Sequence, residues 1–494
     1  MRRIRKLKSI KIIQGGMGVA ISDWRLAKAV SQTGQLGVIS GTAISRVLIS
    51  RLMDGDIGGH VRRALLKFPF QDVAEKIVDR YFVSNGKAAD EPYKAAPMYS
   101  LKPSKFLDGL TAAANFVEVF LAKENHDGVV GINLLEKIQM PHLASLYGAI
   151  LAGVDFVLMG AGIPTQIAGA LDKLTRHELT EYRVEVIGAA RDDSFRIQFD
   201  PRQIFSGIVD HVQLKRPNFL PIVSSVVLAQ ALIKRSEGEV NGFIIEGPTA
   251  GGHNAPPRVS GQFNERGEPI YGEKDVVDLE KMKQLGRPFW LAGGYGHPEQ
   301  LQQALAAGAA GVQVGTAFAL CTESGMDIEL KQVLLEQAAT GTADVFTNAT
   351  ASPTGFPFKV ARLPGTMSEN NVYAERNRIC DLGFLRSIFK KSDGSVGYRC
   401  SAEPVEDYVT KGGNMEDTAG KSCLCNNLFA TAGYPQIRKN GYVEKPIITI
   451  GDDFLNIGKL IEATKLNYTA ADVIEYLLGV FQESEHAHTA LAVA

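Results

Sequence analysis

The sequence predicts an α/β chain of the (β/α)8, or TIM, barrel class, with inserted segments and a C-terminal extension. Three observations carry this. Eight short apolar runs recur through the first 320 residues. Most are separated by stretches of helical periodicity, and most end in glycine, an amide or a hydroxyl. Strands that alternate with helices build a parallel sheet, and eight such units close a barrel.

The first strand is IKIIQ (10–14), which ends in GGMG. SDWRLAKAVSQTG (22–34) then reads as a helix. Ser22 or Asp23 caps it, Leu26, Ala27 and Val30 form its apolar face, and Gly34 stops it. LGVIS (36–40), VVGIN (129–133) and FVLMG (156–160) are strands two to four. FLPIVSS (219–225), GFIIE (242–246), PFWLAGG (288–294) and AGVQVGT (310–316) complete the eight. The strand ends follow from where apolar runs meet glycine or polar residues.

A barrel of this class takes about 250 residues, and this chain has 494. The division is therefore a barrel over 1–340 and an extension over 341–494, with insertions at about 46–127 and 177–217. The first insertion holds a polar patch (84–104) and an apolar helix over 111–123. The second reads as a hairpin, RVEVIGAA, a polar turn and FRIQF. The tail, TAADVIEYLLGVFQES (469–484), is amphipathic and packs on the barrel or in a homodimer contact.

Composition narrows the function. Hydrophobic residues make up 45%, charged residues 22%, and the formal net charge is −1. No global field favours nucleic acid or an anionic membrane. No apolar run is long enough for a transmembrane helix. The basic stretch MRRIRKLKSIK leaves no room for a cleavage site before the first strand and reads as a solvated arm. Five cysteines, none before Cys321, point to a reducing compartment, the cytoplasm.

In barrels of this class the working residues follow the strands' C-terminal ends. Here those are Gly15, Gly16 and Met17; Asn133; Glu246 with Ala250, Gly251, Gly252 and His253; Gly293 and Gly294; and Gln313, Gly315 and Thr316. The rim is rich in glycine, amide and hydroxyl. It lacks the paired carboxylates of a glycosidase and a divalent-metal cluster. Glycines let the backbone approach a flat or phosphorylated ligand. The turns after strands seven and eight, AGGYG and QVGTAF, are the usual phosphate seat. An organic phosphate cofactor is the expectation.

The ordered set IIQGGMG, GIN, MGAG, GPTAGGH, LAGG and VQVGTAF resembles the FMN-dependent nitronate monooxygenase family, formerly 2-nitropropane dioxygenases. Flavin-dependent enoyl-acyl-carrier-protein reductases are related to it. The resemblance covers roughly 10–325 and continues weakly into SPTGFPFK (352–359). It implies that Gly15, Gly16 and Met17 lie against the isoalloxazine ring and that Asn133 hydrogen-bonds it. Glu246 stands near the flavin, and Ala250, Gly251 and Gly252 line its edge. Gly293, Gly294, Gly315 and Thr316 hold the phosphate, beside Gln313. His253 falls on the active-site histidine. Two departures lie on the substrate side. IVSSVVLAQ stands where nitronate-oxidising relatives often carry a lysine, and HNAPPR replaces a shorter continuation.

In GPTAGGHNAPPR, residues 247–258, two glycines precede His253 and two prolines stiffen the exit. Thin backbone lets flavin and imidazole reach one substrate atom. An unperturbed imidazole titrates near neutral pH, which suits a general acid/base or a hydrogen-bond donor to a nitro or carbonyl oxygen. Cys380, Cys400, Cys423 and Cys425 fall within 46 residues. Their irregular spacing leaves an iron–sulfur cluster, zinc and reduced thiols all open.

The resulting expectation is an FMN-dependent oxidoreductase that oxidises nitronates to carbonyl compounds with oxygen. One alternative is an enoyl- or acyl-thioester reductase or dehydrogenase, with NAD(P)H as electron donor; a cluster would favour it. Another is a non-catalytic flavin or redox sensor. The partner in the enzymatic readings is a small molecule or an acyl thioester.

Overall fold

A computed structural model describes residues 9–205 and 213–480. Eight parallel strands close a barrel in sequential order. They are β1 (Ile12–Gln14), β2 (Leu36–Ser40), β3 (Val130–Leu135), β4 (Phe156–Gly160), β5 (Asn218–Val223), β6 (Phe243–Glu246), β7 (Phe289–Ala292) and β8 (Gly311–Val314). Closure is made by β1, which pairs with β8 through Ile12 and Val312 and with β2 through Ile13 and Leu36.

Side chains alternate across these strands. Ile13, Val38, Leu158, Leu220, Ile244 and Trp290 form a core separate from the outer one and fill the barrel interior. Their neighbours Ile12, Ile39, Val157, Phe219, Ile245 and Leu291 join the larger outer core, where the helices pack. The Trp290 indole N–H donates to the Ile10 carbonyl at 2.8 Å and satisfies the one polar atom of that buried ring.

All eight expected strands exist, and most differences are at their ends. β1 starts late because the backbone N–H groups of Lys11 and Ile12 donate to the Gln35 side chain rather than to a strand. β3 runs on to Leu135, so Asn133 lies inside the strand. β5 stops at Val223 because Ser225 leaves it to cap the helix Val226–Arg235, accepting from the Leu228 N–H at 3.3 Å. β8 stops at Val314, where Gly315 leads into the short helix Thr316–Ala319. In the first expected helix, observed as Trp24–Gln32, Asp23 is the cap.

The 46–127 segment is largely helical, and its apolar helix spans Lys105–Lys123. It starts six residues before the expected 111, because the Ser104 hydroxyl accepts from the Leu107 N–H at 3.2 Å and fixes an earlier first turn. In the second segment Thr180–Arg183 pairs antiparallel with Arg196–Phe199. The intervening Val186–Ile187 leaves this hairpin and pairs with β11 (Ser387–Lys390) of the chain's C-terminal part.

Residues after 340 supply β9 (Val345–Asn348), β10 (Phe358–Ala361), β11, and β12 (Val396–Arg399). Their apolar side chains join the outer core of the barrel, from Val345 to Leu477. The tail helix is Ala470–Leu477. It buries Val473, Ile474 and Leu477 and packs on the helix Trp24–Gln32. Its expected last turn, 481–484, and most of the basic arm, 1–8, lie outside the described residues. Among the described residues no helix is long and apolar enough to cross a membrane.

Candidate functional site

The C-terminal ends of the strands open into one cavity with an empty volume of about 1190 Å³, its solvent-open mouth included. All fourteen residues singled out at the rim, from Gly15 to Thr316 and including His253, line it. The four late cysteines do not; they line a second, smaller cavity.

Several rim glycines leave little or no room for a side chain. A Cβ on Gly16 would sit 2.5 Å from the Asn133 Cβ, and one on Gly15 would press on the Gln313 side chain at 3.1 Å. A Cβ on Gly251 would lie 2.5 Å from the Ile450 carbonyl carbon, which is backbone and cannot swing away. Gly293 and Gly294 have φ of +88° and +74°, a region open to glycine at little cost. The tight turn after β7 therefore depends on them.

Two amide side chains face this glycine floor. The Asn133 Nδ2 lies 3.5 Å from the Gly16 carbonyl. The Asn133 Oδ1 and the Gln313 Oε1 are buried without a hydrogen-bond partner. An unmade bond of this kind costs about 1–3 kcal/mol. Two such acceptors at one cavity wall fit a ligand that presents N–H or O–H groups to them.

His253 is held from outside the barrel. Gly252–His253 pairs antiparallel with β10, with His253 opposite Phe358. The His253 Nε2 lies 2.7 Å from the Ser352 hydroxyl, which in turn lies 2.8 Å from the Thr354 hydroxyl. The Phe358 ring stands against the imidazole, centroids 4.8 Å apart. Asn254 fixes the loop, its backbone N–H donating to the Pro357 carbonyl and its Nδ2 to the Ala250 carbonyl.

Burial pushes the imidazole pKa down to about 4. The ring is therefore neutral at pH 7, unlike the unperturbed group on which the sequence argument rested. A neutral ring suits hydrogen bonding and proton acceptance better than proton donation.

Two carboxyl groups reach the same cavity. Glu246, at the end of β6, is pushed up to about 7 by burial. Asp453 is raised to about 6 by burial and by its neighbour Asp452, although it accepts from the Gly296 N–H. It stands near the turn after β7, where an Oδ lies 2.9 Å from the place a Gly296 Cβ would take.

The wall also holds residues that sequence reasoning did not single out. The segment Thr449–Asp453 folds across the turns after β6 and β8. The Gly451 N–H donates to the Thr316 hydroxyl at 3.0 Å, and the Asp452 N–H donates to the Thr249 carbonyl at 2.9 Å. Lys359 pairs with Asp452 at 2.5 Å and pins the segment to β10. Ser352 and Phe358 lie in SPTGFPFK, the only local signal for any of these.

The class this defines is a (β/α)8 barrel with a glycine-floored ligand cavity at its C-terminal mouth. Residues 197–351, from the second hairpin strand past β8, match the nitronate monooxygenase family. This bears out the resemblance read from the motifs. A nitronate monooxygenase of Pseudomonas aeruginosa is 30% identical over 148 residues. That match covers 29% of this chain and 40% of the relative's length. Solved structures that match along the chain include FabK from Thermotoga maritima, at 16% identity and a TM-score of 0.47, covering 99% of this chain and 98% of that one. The nitroalkane oxidase of Streptomyces ansochromogenes is 15% identical with a TM-score of 0.44, covering 97% and 99%.

Proposed function

We propose that this protein is an FMN-dependent oxidoreductase of the nitronate monooxygenase type, oxidising a nitronate with oxygen to a carbonyl compound and nitrite. The observation that carries the reading is the pairing of two unsatisfied amides, Asn133 Oδ1 and Gln313 Oε1, with a floor of glycines whose Cβ positions are already filled. A flat heteroaromatic ring with N–H groups suits that surface. The match over 197–351 supports the same family of chemistry.

Gly15 and Gly16 would let the ring lie on backbone, with Asn133 and Gln313 bonding its edge. Gly293, Gly294, Gly315 and Thr316 would seat the phosphate through backbone N–H groups and a hydroxyl. Bound FMN supplies electron transfer between substrate and oxygen.

The chain's own part is positional and electrostatic. His253, neutral and oriented by Ser352, hydrogen-bonds a nitronate oxygen and holds the reacting carbon over the cofactor. Phe358 walls off water on one side of the imidazole. Glu246 holds a proton near neutral pH and so adds less negative charge beside an anionic substrate than an ordinary carboxylate. NAD(P)H is not required for this reaction.

Oxygen uptake tests the reading, measured with FMN-loaded protein and a small alkyl nitronate. Nitrite formed in step with oxygen consumed supports it. FMN-loaded protein that ignores nitronates but oxidises NAD(P)H in the presence of an enoyl thioester overturns it.

A further inference from the structure

Four of the five cysteines meet around one cavity, and none is in a disulfide. Cys380 follows the helix Asn370–Glu375. Cys400 follows β12. Cys423 caps the helix Leu424–Thr431, and Cys425 sits in its first turn. The cavity has an empty volume of about 290 Å³, its solvent-open part included, and is otherwise lined by apolar groups such as Leu382, Leu385 and Leu424. Cys400 and Cys423 are buried, and Cys380 and Cys425 are partly buried. A core that needed only small apolar residues would not gather four thiols from three separate segments onto one void.

The surroundings of the sulfurs point the same way. The backbone N–H groups of Phe384 and Leu385 face the Cys425 sulfur, and the Ala402 N–H faces Cys400. The Asn426 Nδ2 donates to the Cys423 sulfur at 3.5 Å, and the Cys423 thiol donates to the Ile379 carbonyl at 3.7 Å. N–H groups directed at sulfur tune metal–sulfur centres. Arg386 stands near Cys380 and Arg376 near Cys423, although Arg376 is also paired with Glu444 at 2.7 Å.

Among the described residues no three His, Cys, Asp or Glu side chains are placed to share one metal ion. That geometry disfavours a lone tetrahedral zinc, whose ligands converge on a point. A cubane cluster differs, because its four thiolates bind four different irons and need only surround a void.

We infer that Cys380, Cys400, Cys423 and Cys425 hold a [4Fe–4S] cluster in this cavity. The helix Leu424–Thr431 carries Cys425 at its start and Leu428 on the wall of the main cavity. Pro353, on the cysteine cavity, follows Ser352, the partner of His253. The cluster stands about one helical turn from the main cavity. Its meaning as a neighbour of FMN rests on the FMN part of the proposed function, and beside FMN it favours the thioester alternative over direct use of oxygen; its existence rests on neither.

The test is reconstitution of the full chain under anaerobic conditions with ferrous iron and sulfide. The expected result is about four irons and about four sulfides per chain. A broad visible absorption should bleach with dithionite and give a paramagnetic signal. Cys380→Ser, Cys400→Ser, Cys423→Ser and Cys425→Ser should each lose most of that signal while keeping FMN, and Cys321→Ala should retain it. Wild-type protein that is folded by circular dichroism yet binds no iron beyond the fourfold Cys→Ser variant overturns the inference. So does one tightly bound zinc per chain, or a Cys380–Cys400 disulfide found by peptide mass in the reconstituted protein. The iron and sulfide content, the bleaching and the zinc and disulfide tests are read on wild type, so misfolding of a variant leaves those answers intact. A cluster without FMN would remove the proposed function alone, and FMN without a cluster would remove this inference alone.

Discussion

The His253 Nε2 lies 2.7 Å from the Ser352 hydroxyl, across 99 positions of sequence. The imidazole thus belongs to the barrel rim by its chain position and to the C-terminal part by its orientation. Ser352 is fully buried, so the hydrogen bond is shielded from water. Replacing Ser352 with Ala should leave FMN bound and lower turnover about fivefold, the effect of losing about 1 kcal/mol of orientation. His253→Ala should cost about 10–10² in turnover, the loss of a hydrogen bond to a charged oxygen worth about 1.5–3 kcal/mol, again with FMN retained. Steady-state kinetics beside a cofactor titration checks both. Equal losses in the two variants would show that Ser352 does more than orient the ring.

The Gly251 backbone has no room for a methyl group, because Ile450 and Gly451 occupy the site of its Cβ. Gly251→Ala should push the segment Thr449–Asp453 off the rim. The expected cost is about 1–3 kcal/mol, as for other overpacking, read as a fall in thermal midpoint together with weaker FMN binding. Gly341→Ala makes a useful control. Nothing stands within 4 Å of its Cβ position, although its φ of +70° carries a backbone cost of its own.

Glu246 and His253 give opposite limbs to the pH–stability curve. The folded Glu246 carboxyl titrates near 7, above its ordinary value of 4.5. Between those values the folded state binds more protons than the unfolded one, so this group's contribution falls as pH rises. The folded His253 titrates near 4, below 6.5. There the unfolded state binds more protons, so its contribution is present above about 6.5 and is lost as pH falls toward 4. Glu246→Gln should flatten the decline between pH 5 and 7, and His253→Asn should flatten the acid limb. Thermal midpoints of cofactor-free protein across pH 4–8 check both slopes.

Asp453 brings a carboxylate to the side of the cavity where the phosphate is proposed to lie. Titrating near 6, it is mostly ionised at pH 7.5 and mostly neutral at pH 5. Like charges repel by at least about 1 kcal/mol at contact range. Asp453→Asn should therefore tighten FMN binding about fivefold at pH 7.5 and change it little at pH 5. Fluorescence titration with FMN at the two pH values reads this directly. Weaker binding in the variant would mean that Asp453 accepts a bond the cofactor needs.

The barrel was legible because its determinants are local. Alternating apolar runs, glycine stops and the Asp23 cap each act within a few residues. The rim residues were legible for the same reason, since each follows its own strand. What was hidden is non-local. Phe358 and Thr449–Asp453 reach the cavity, and Ser352 reaches His253, only after the C-terminal part folds across the mouth, and their sequence has no period that reports this. The irregular spacing of the cysteines likewise says nothing of the void they surround. The lowered pKa of His253 comes from burial by Phe358 and its neighbours, which no local pattern around residue 253 could reveal.

The most direct measurement is the identity of what the purified protein carries. Heat-released chromophore should be FMN, close to one per chain, and protein stripped of it should take FMN back. A loss of that binding in Gly251→Ala would place it in the barrel mouth. A colourless protein that cannot be loaded with FMN, while remaining folded, would contradict the account at its centre.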